Sequence, residues 1–188
     1  NIVPGNRGAD AAEIASRVAS FHAPYHARIE TELAKIASVP VLISMHSFTP
    51  AWKGRARPWE VGVLWDRDAR LAKPLMARLA QAGFAVGDNE PYSGELENDC
   101  LYRHGTMNGL PHVLIEIRQD MIADDAAARA FAARLATIIE QALADMGPAQ
   151  IQFTRPLVTQ GMLSMDEHTR IELEAAAFRR LVAHLRGR

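Results

Sequence analysis

Glu116 and Arg118 stand two residues apart at the end of an otherwise apolar run, Val113, Leu114, Ile115, Glu116, Ile117, Arg118. Side chains alternate along a strand, so Val113, Ile115 and Ile117 would face one side while Leu114, Glu116 and Arg118 face the other. A buried, unpaired charge is costly, so these two must pair, meet water in a cleft, or sit beside a metal or substrate. The expectation is either a structural ion pair or an active site. Other polar residues close other apolar runs: His46 and Ser47 follow Val41 to Met45, Asp66 follows Trp59 to Trp65, and Asn89 to Ser93 follows Phe84 to Val86. In parallel α/β sheets ligands bind beyond the carboxyl ends of the strands, which would gather all four clusters on one rim. Singly, His46 reads as a satisfied structural histidine; four reactive strand ends together favour a shared active site.

Several chemistries are open to such a rim. Neutral imidazole is a common zinc ligand, so His46 could hold a metal, but a catalytic zinc needs about three protein ligands and no second and third stand at a convincing spacing. His22 and His26 lie four apart with Pro24 between them and read as packing or hydrogen-bonding residues. Glu116 is the best general base: a carboxylate near an activated water can take its proton and return it to a leaving amine. Its bland alternative is an ion pair with Arg118 or Arg57. Gly105 to Gly109 lacks the strand-before, helix-after context of a phosphate loop. Ser47 and Ser93 lack a nucleophile-elbow sequence, and Cys100 has no cationic neighbour closer than Arg103, so covalent catalysis is the weaker reading.

The elements that must position these residues follow from periodicity. Asp10 can cap a helix, with Glu13 three residues on, and Ile14, Val18, Phe21, Tyr25, Ile29, Leu33 and Ile36 recur at helical spacing, with a kink expected near Pro24. Val41 to His46 shows no alternation, as a central parallel strand covered on both sides would. Trp52 to Pro58 reads as a basic loop and Trp59 to Trp65 as a strand. Ala69 to Ala82 reads as a helix ended by Gly83 at C′, and Phe84 to Val86 as a short strand. Glu95 to Asn108 reads as a loop over the site. A helix capped by Asp124 or Asp125 is expected to run to about Asp145, with Phe131, Leu135, Ile138, Ile139 and Leu143 buried. Alternating strands and helices imply a three-layer αβα sandwich around a mostly parallel sheet. Residues 1–146 form this domain, 147–164 read as a linker with Pro148, Pro156 and Gly161, and 165–188 carry an amphipathic helix, Asp166 to Arg186, able to dock on the domain or a partner.

Composition narrows the function class. With 188 residues, 48% hydrophobic and 23% charged, the chain can bury one substantial core. A net charge of −1 with scattered basic residues argues against nucleic acid and anionic membrane surfaces and for a small-molecule ligand. The single Cys100 rules out an intrachain disulfide and makes the cytoplasm the default. No apolar run approaches the roughly 20 residues that span a bilayer. Asn1 opens the chain without a Met, which leaves room for an upstream segment, a signal included.

At these residues the chain resembles the N-formylglutamate amidohydrolase family. The resemblance rests on Val3 to Arg7, Pro24-Tyr25-His26, His46 to Pro50, Gly62-Val63-Leu64, Asn89 to Gly94, His104-Gly105 and Gly109 to Asp120, in order across residues 3 to about 145. It implies a zinc-carboxypeptidase-like, phosphorylase/hydrolase-like α/β fold. It also implies hydrolysis of N-formyl-L-glutamate to formate and glutamate by a metal-activated water, a late step of histidine degradation in some bacteria, or the corresponding cleavage of a similar N-acyl amino acid. Carried over, His46 resembles a ligand of zinc or another divalent metal and Glu116 the catalytic base. Arg118, a catalytic candidate together with Glu116, joins Asn6, Arg7, Arg57, Asn89, Tyr92, Ser93 and His104 as candidates for binding the dicarboxylate or steadying the tetrahedral intermediate, since an Arg fork matches a carboxylate.

The same resemblance implies that the remaining zinc ligands, a His and an acidic residue, belong to a segment before Val3. If the chain is the whole molecule, little or no zinc binding and no amidohydrolase activity are expected. The alternative function is a catalytically incomplete relative that binds a small carboxylate or a protein partner. The run Glu174 to Leu181 resembles the opening of a small bacterial helical family and suggests a fusion. Acyl group, metal identity and homo-oligomerisation are left open by the residues themselves.

Overall fold

The structure is a computed structural model that describes residues 4–97, 99–147 and 151. The described residues divide into two compact units, one within 4–38 and one starting at Val39. The linker expected over 147–164, apart from Gly147 and Ile151, and the helix expected over Asp166 to Arg186 lie outside the described residues.

In the first unit Asp10 caps α1 (Ala11–Arg17), its Oδ1 accepting the Glu13 N–H at 2.8 Å. One π-helical turn, Val18–His22, leads into α2 (Ala23–Leu33), which carries Pro24 in its first turn. Proline lacks an N–H and crowds the carbonyl four residues back, and the wider π turn directly before it absorbs that conflict where the sequence led us to expect a kink. The stripe Ile14, Val18, Phe21 and Tyr25 is exposed in this structure, and His26 is the buried residue of α2. The ring nitrogens Nε2 of His22 and His26 lie 3.1 Å apart, one turn of helix bringing them together.

The second unit runs β1 (Leu42–Phe48), a hairpin of β2 (Ala51–Trp52) and β3 (Arg55–Ala56), β4 (Val61–Leu64), α3 (Ala72–Gln81), β5 (Val86–Asp88), α4 (Cys100–His104), β6 (His112–Arg118) and α5 (Asp125–Met146). The main sheet has the order β1-β6-β4-β5, with β1 parallel to β6, β4 parallel to β5, and β4 antiparallel to β6. Helices flank both faces, giving the three-layer α/β arrangement with a mostly parallel sheet. On one face Val61, Val63, Val113, Ile115 and Ile117 pack with Leu71, Leu75, Leu79, Phe131, Leu135 and Ile138 of the α3 and α5 layer. On the other, Leu64 and Leu114 meet Leu101 of α4.

Local signals account for most of these boundaries. Gly83 takes φ +85° just past α3, where a side chain would be strained. The Asp124 side chain accepts the Ala127 N–H at 2.9 Å to start α5. Two expectations change. The stretch read as a basic loop contains the β2–β3 hairpin, turned at Lys53 and Gly54 with φ +48° and +76°, the left-handed pair a tight two-residue turn requires. The stretch read as a loop over 95–108 contains α4, started by Asp99, whose carboxylate accepts the Tyr102 N–H. Further, β1 is an edge strand among the described residues, with Met45, His46 and Ser47 exposed, so its lack of alternation does not mark a central position.

Candidate active site

Because β4 runs against β6, the carboxyl ends of β1 and β6 lie at one rim of the sheet and those of β4 and β5 at the opposite rim. The four strand ends therefore do not share one edge, and Asp66, which follows β4, lies toward the end where β6 begins, Leu64 pairing with Leu114. What the parallel β1–β6 pair does bring together is His46 and Glu116, direct partners in register. Both face away from the α3/α5 core, since Ile115 and Ile117 occupy that face.

Glu116 is buried, with 5% of the residue exposed. Its Oε1 lies 3.9 Å from Nδ1 of His46, too far for a direct hydrogen bond but a separation that one bridging oxygen could span. Its Oε2 is buried with no hydrogen-bond partner among the described residues. Burial raises the Glu116 carboxyl above the ordinary carboxylate range, and electrostatic interaction with His46 and Arg57 pulls partly against that rise. His46 itself is half-exposed, which leaves one side of the pair open to a ligand.

The third member, Arg57, follows the hairpin. Its Nη1 donates to the carbonyl and to Oγ1 of Thr49, at 3.2 and 3.1 Å. Its guanidinium carbon stands 5.7 Å from the ring centres of Phe48 and Trp52 and 5.1 Å from that of Tyr92. Among the described residues no carboxylate is within ion-pair distance of it. A cation flanked by aromatic rings, with no carboxylate at ion-pair distance among the described residues, is suited to an anionic ligand.

Tyr92 reaches this rim because the loop after β5 doubles back across the sheet. Gly62 of β4 and Gly87 of β5 leave the space it needs: a Cβ on Gly62 would collide with the Glu90 carbonyl and stand 3.2 Å from Glu116 Cβ, and one on Gly87 would stand 2.6 Å from the same carbonyl. Asn89, at φ +50°, shapes the loop from within, its Oδ1 accepting the N–H groups of Trp65 and Gly94 at 3.0 Å each. Ser93 Oγ accepts the Glu95 N–H.

The remaining candidates occupy other places. His104 is buried at the end of α4, where its carbonyl accepts from Asn108. Asn6 and Arg7 belong to the first unit, in which the Asn6 side-chain Oδ1 accepts from Arg17 Nη1. Arg118 binds Asp120 through Nε at 2.8 Å and points Nη1 at the carbonyls of Arg57, Pro58 and Trp59, at 3.5, 3.3 and 3.2 Å. The sequence reading missed Phe48, Thr49 and Trp52. The signal available was the cluster of two aromatic residues and a basic hairpin directly after His46.

A shallow cavity lies farther along the same face, lined by Leu64, Trp65, Asp66, Ser93, Tyr102 and His112 among others. His112 there is fully engaged, with Nδ1 2.8 Å from the Leu110 carbonyl and Nε2 3.1 Å from Thr106 Oγ1. Among the described residues no helix is long and apolar enough to cross a membrane.

A family model described as N-formylglutamate amidohydrolase matches residues 1–123. Among solved structures, the chain is similar to the crystal structure of a gene product from Agrobacterium tumefaciens, at 35% identity and a TM-score of 0.70, covering 77% of this chain and 59% of that one. The chain thus spans less than two thirds of that relative's length. Among curated proteins nothing matches.

Proposed function

The chain belongs to the N-formylglutamate amidohydrolase family, and from that premise we propose that it hydrolyses the amide bond of an N-acyl amino acid of the N-formyl-L-glutamate type. The observation that carries this reading is the buried Glu116 carboxylate, one oxygen facing His46 and the other without a partner. In the proposed reaction Glu116 accepts a proton from the attacking water and returns it to the leaving amine, so that N-formylglutamate and water yield formate and glutamate. A carboxyl whose proton affinity is raised by burial is better matched to both transfers near neutral pH than an ordinary one. Arg57 binds a substrate carboxylate within the ring cluster of Phe48, Trp52 and Tyr92. The cytoplasm is the proposed compartment.

Zinc or another divalent metal is part of the same reading, with His46 as the donor on this rim. Among the described residues no three His, Cys, Asp or Glu come together as a metal site. These residues do not by themselves fit a metal centre, and no step is routed through one.

That incomplete donor set favours a second reading, in which the rim binds a small carboxylate without turnover. Measuring formate released from N-formyl-L-glutamate, with zinc supplied, separates the two. Release above the protein-free blank supports the hydrolase; saturable ligand binding with no release supports the binding protein.

A further inference from the structure

We infer that Arg118 is a positioning residue for Arg57, acting on the anionic ligand through that guanidinium and not by touching the ligand itself. The inference rests on the reading of Arg57 as the carboxylate-binding group.

Arg118 closes β6 two residues beyond Glu116, on the same face of the strand. Two of its three guanidinium nitrogens are engaged within the protein. Nε is held by Asp120 at 2.8 Å, while Nη1 addresses three consecutive carbonyls, those of Arg57, Pro58 and Trp59. The Arg118 N–H also donates to the Glu60 carbonyl at 2.9 Å. One side chain and one backbone amide thus secure residues 57–60, a stretch that belongs to neither the hairpin nor β4 and has no ladder of its own.

The far side of Arg57 is secured by its own N–H, which donates to the Pro50 carbonyl at 2.9 Å. Its backbone is therefore pinned from both directions, and its side chain leaves that anchored point toward Thr49 and the three rings. Carbonyls turned toward one cation lose their partner together when the cation is removed, which frees the segment to rearrange. Lysine would not replace this arrangement, because a single ammonium cannot hold Asp120 and the carbonyl row with the planar fork's geometry.

The test is calorimetric titration with glutarate, a dicarboxylate with no bond to cleave. Wild type, Arg57→Gln, Arg118→Gln, Arg118→Lys and the double variant Arg57→Gln/Arg118→Gln are compared, with circular dichroism as the check of folding. Arg118→Gln is expected to weaken glutarate binding about tenfold, with Arg118→Lys failing to restore it and the double variant no weaker than Arg57→Gln alone. Asp120→Asn, which loosens the Arg118 anchor without removing the cation, is expected to give a smaller loss in the same direction and serves if Arg118→Gln does not fold. Glutarate affinity unchanged in Arg118→Gln, or in Asp120→Asn where that variant must serve, overturns the inference. So do losses that simply add in the double variant, since Arg118 would then act independently of Arg57. Absence of saturable glutarate binding to wild type overturns the carboxylate reading of Arg57 itself, and the inference with it.

Discussion

Glu116 is held where its charged form is expensive. Its raised proton affinity has a sign that can be checked without any substrate: below the ordinary carboxylate range the folded and unfolded chains both carry the protonated group, and the burial costs little. As pH rises past the unfolded value and through the raised folded one, the unfolded chain ionises first and stability falls. Glu116→Gln removes that ionisation, so its thermal midpoint should exceed the wild-type value at pH 8 and converge with it toward pH 4. A midpoint difference that does not depend on pH would show that ionisation of Glu116 is not what burial disfavours. Such a stabilising loss of function is expected where a site holds a strained charge. At this scale the sequence was informative: a carboxylate in an apolar strand can be recognised from alternation alone, and so can the His46 that ends another apolar run. The neighbours that complete the rim could not be recognised this way. Phe48, Thr49 and Trp52 matter through their distance to Arg57, which no local pattern encodes.

Among the elements, the β4–β6 pair sets the geometry. Gly62 sits in register with Glu116 and beneath the Glu90 carbonyl, so a methyl group there forces either the loop or the carboxylate to shift. Gly62→Ala should cost about 1–3 kcal/mol in denaturant unfolding. It should also displace Tyr92 from Arg57, which anion binding would report; a variant as stable as wild type would contradict the close approach of that loop. The direction of β4 was the main feature hidden from sequence reading. Periodicity says that Val61 to Leu64 is a strand, but pairing direction depends on contacts with β6, some fifty residues later in the chain. The rule that strand carboxyl ends gather ligands then gathered Asp66 with Glu116, whereas the antiparallel step separates them. Helices were more legible because their signals are local: the Asp10 and Asp124 caps and Gly83 all lie within a turn of the boundary they mark. Asp99 is a cap of the same kind, obscured by the polar residues around it.

At the scale of the whole molecule, the site rests on a core it does not enter. The α3 and α5 layer packs one face of the sheet and is tied across its surface by Arg78 and Asp145, at 2.6 Å through each of two contacts. Leu75, fully buried in that layer, lies on the opposite face from Glu116. Leu75→Ala should therefore cost about 2–5 kcal/mol of stability while leaving glutarate affinity at its wild-type value in the folded fraction. A loss of affinity in that fraction would show that the core and the rim are coupled. The central claim is that Glu116 is the base of an amide hydrolysis, and the most direct measurement is formate release from N-formyl-L-glutamate, with zinc supplied, by wild type and Glu116→Gln side by side. Wild type should release formate and Glu116→Gln should be slower by about 100- to 10,000-fold; equal rates in the two, or no release by wild type, would contradict the account.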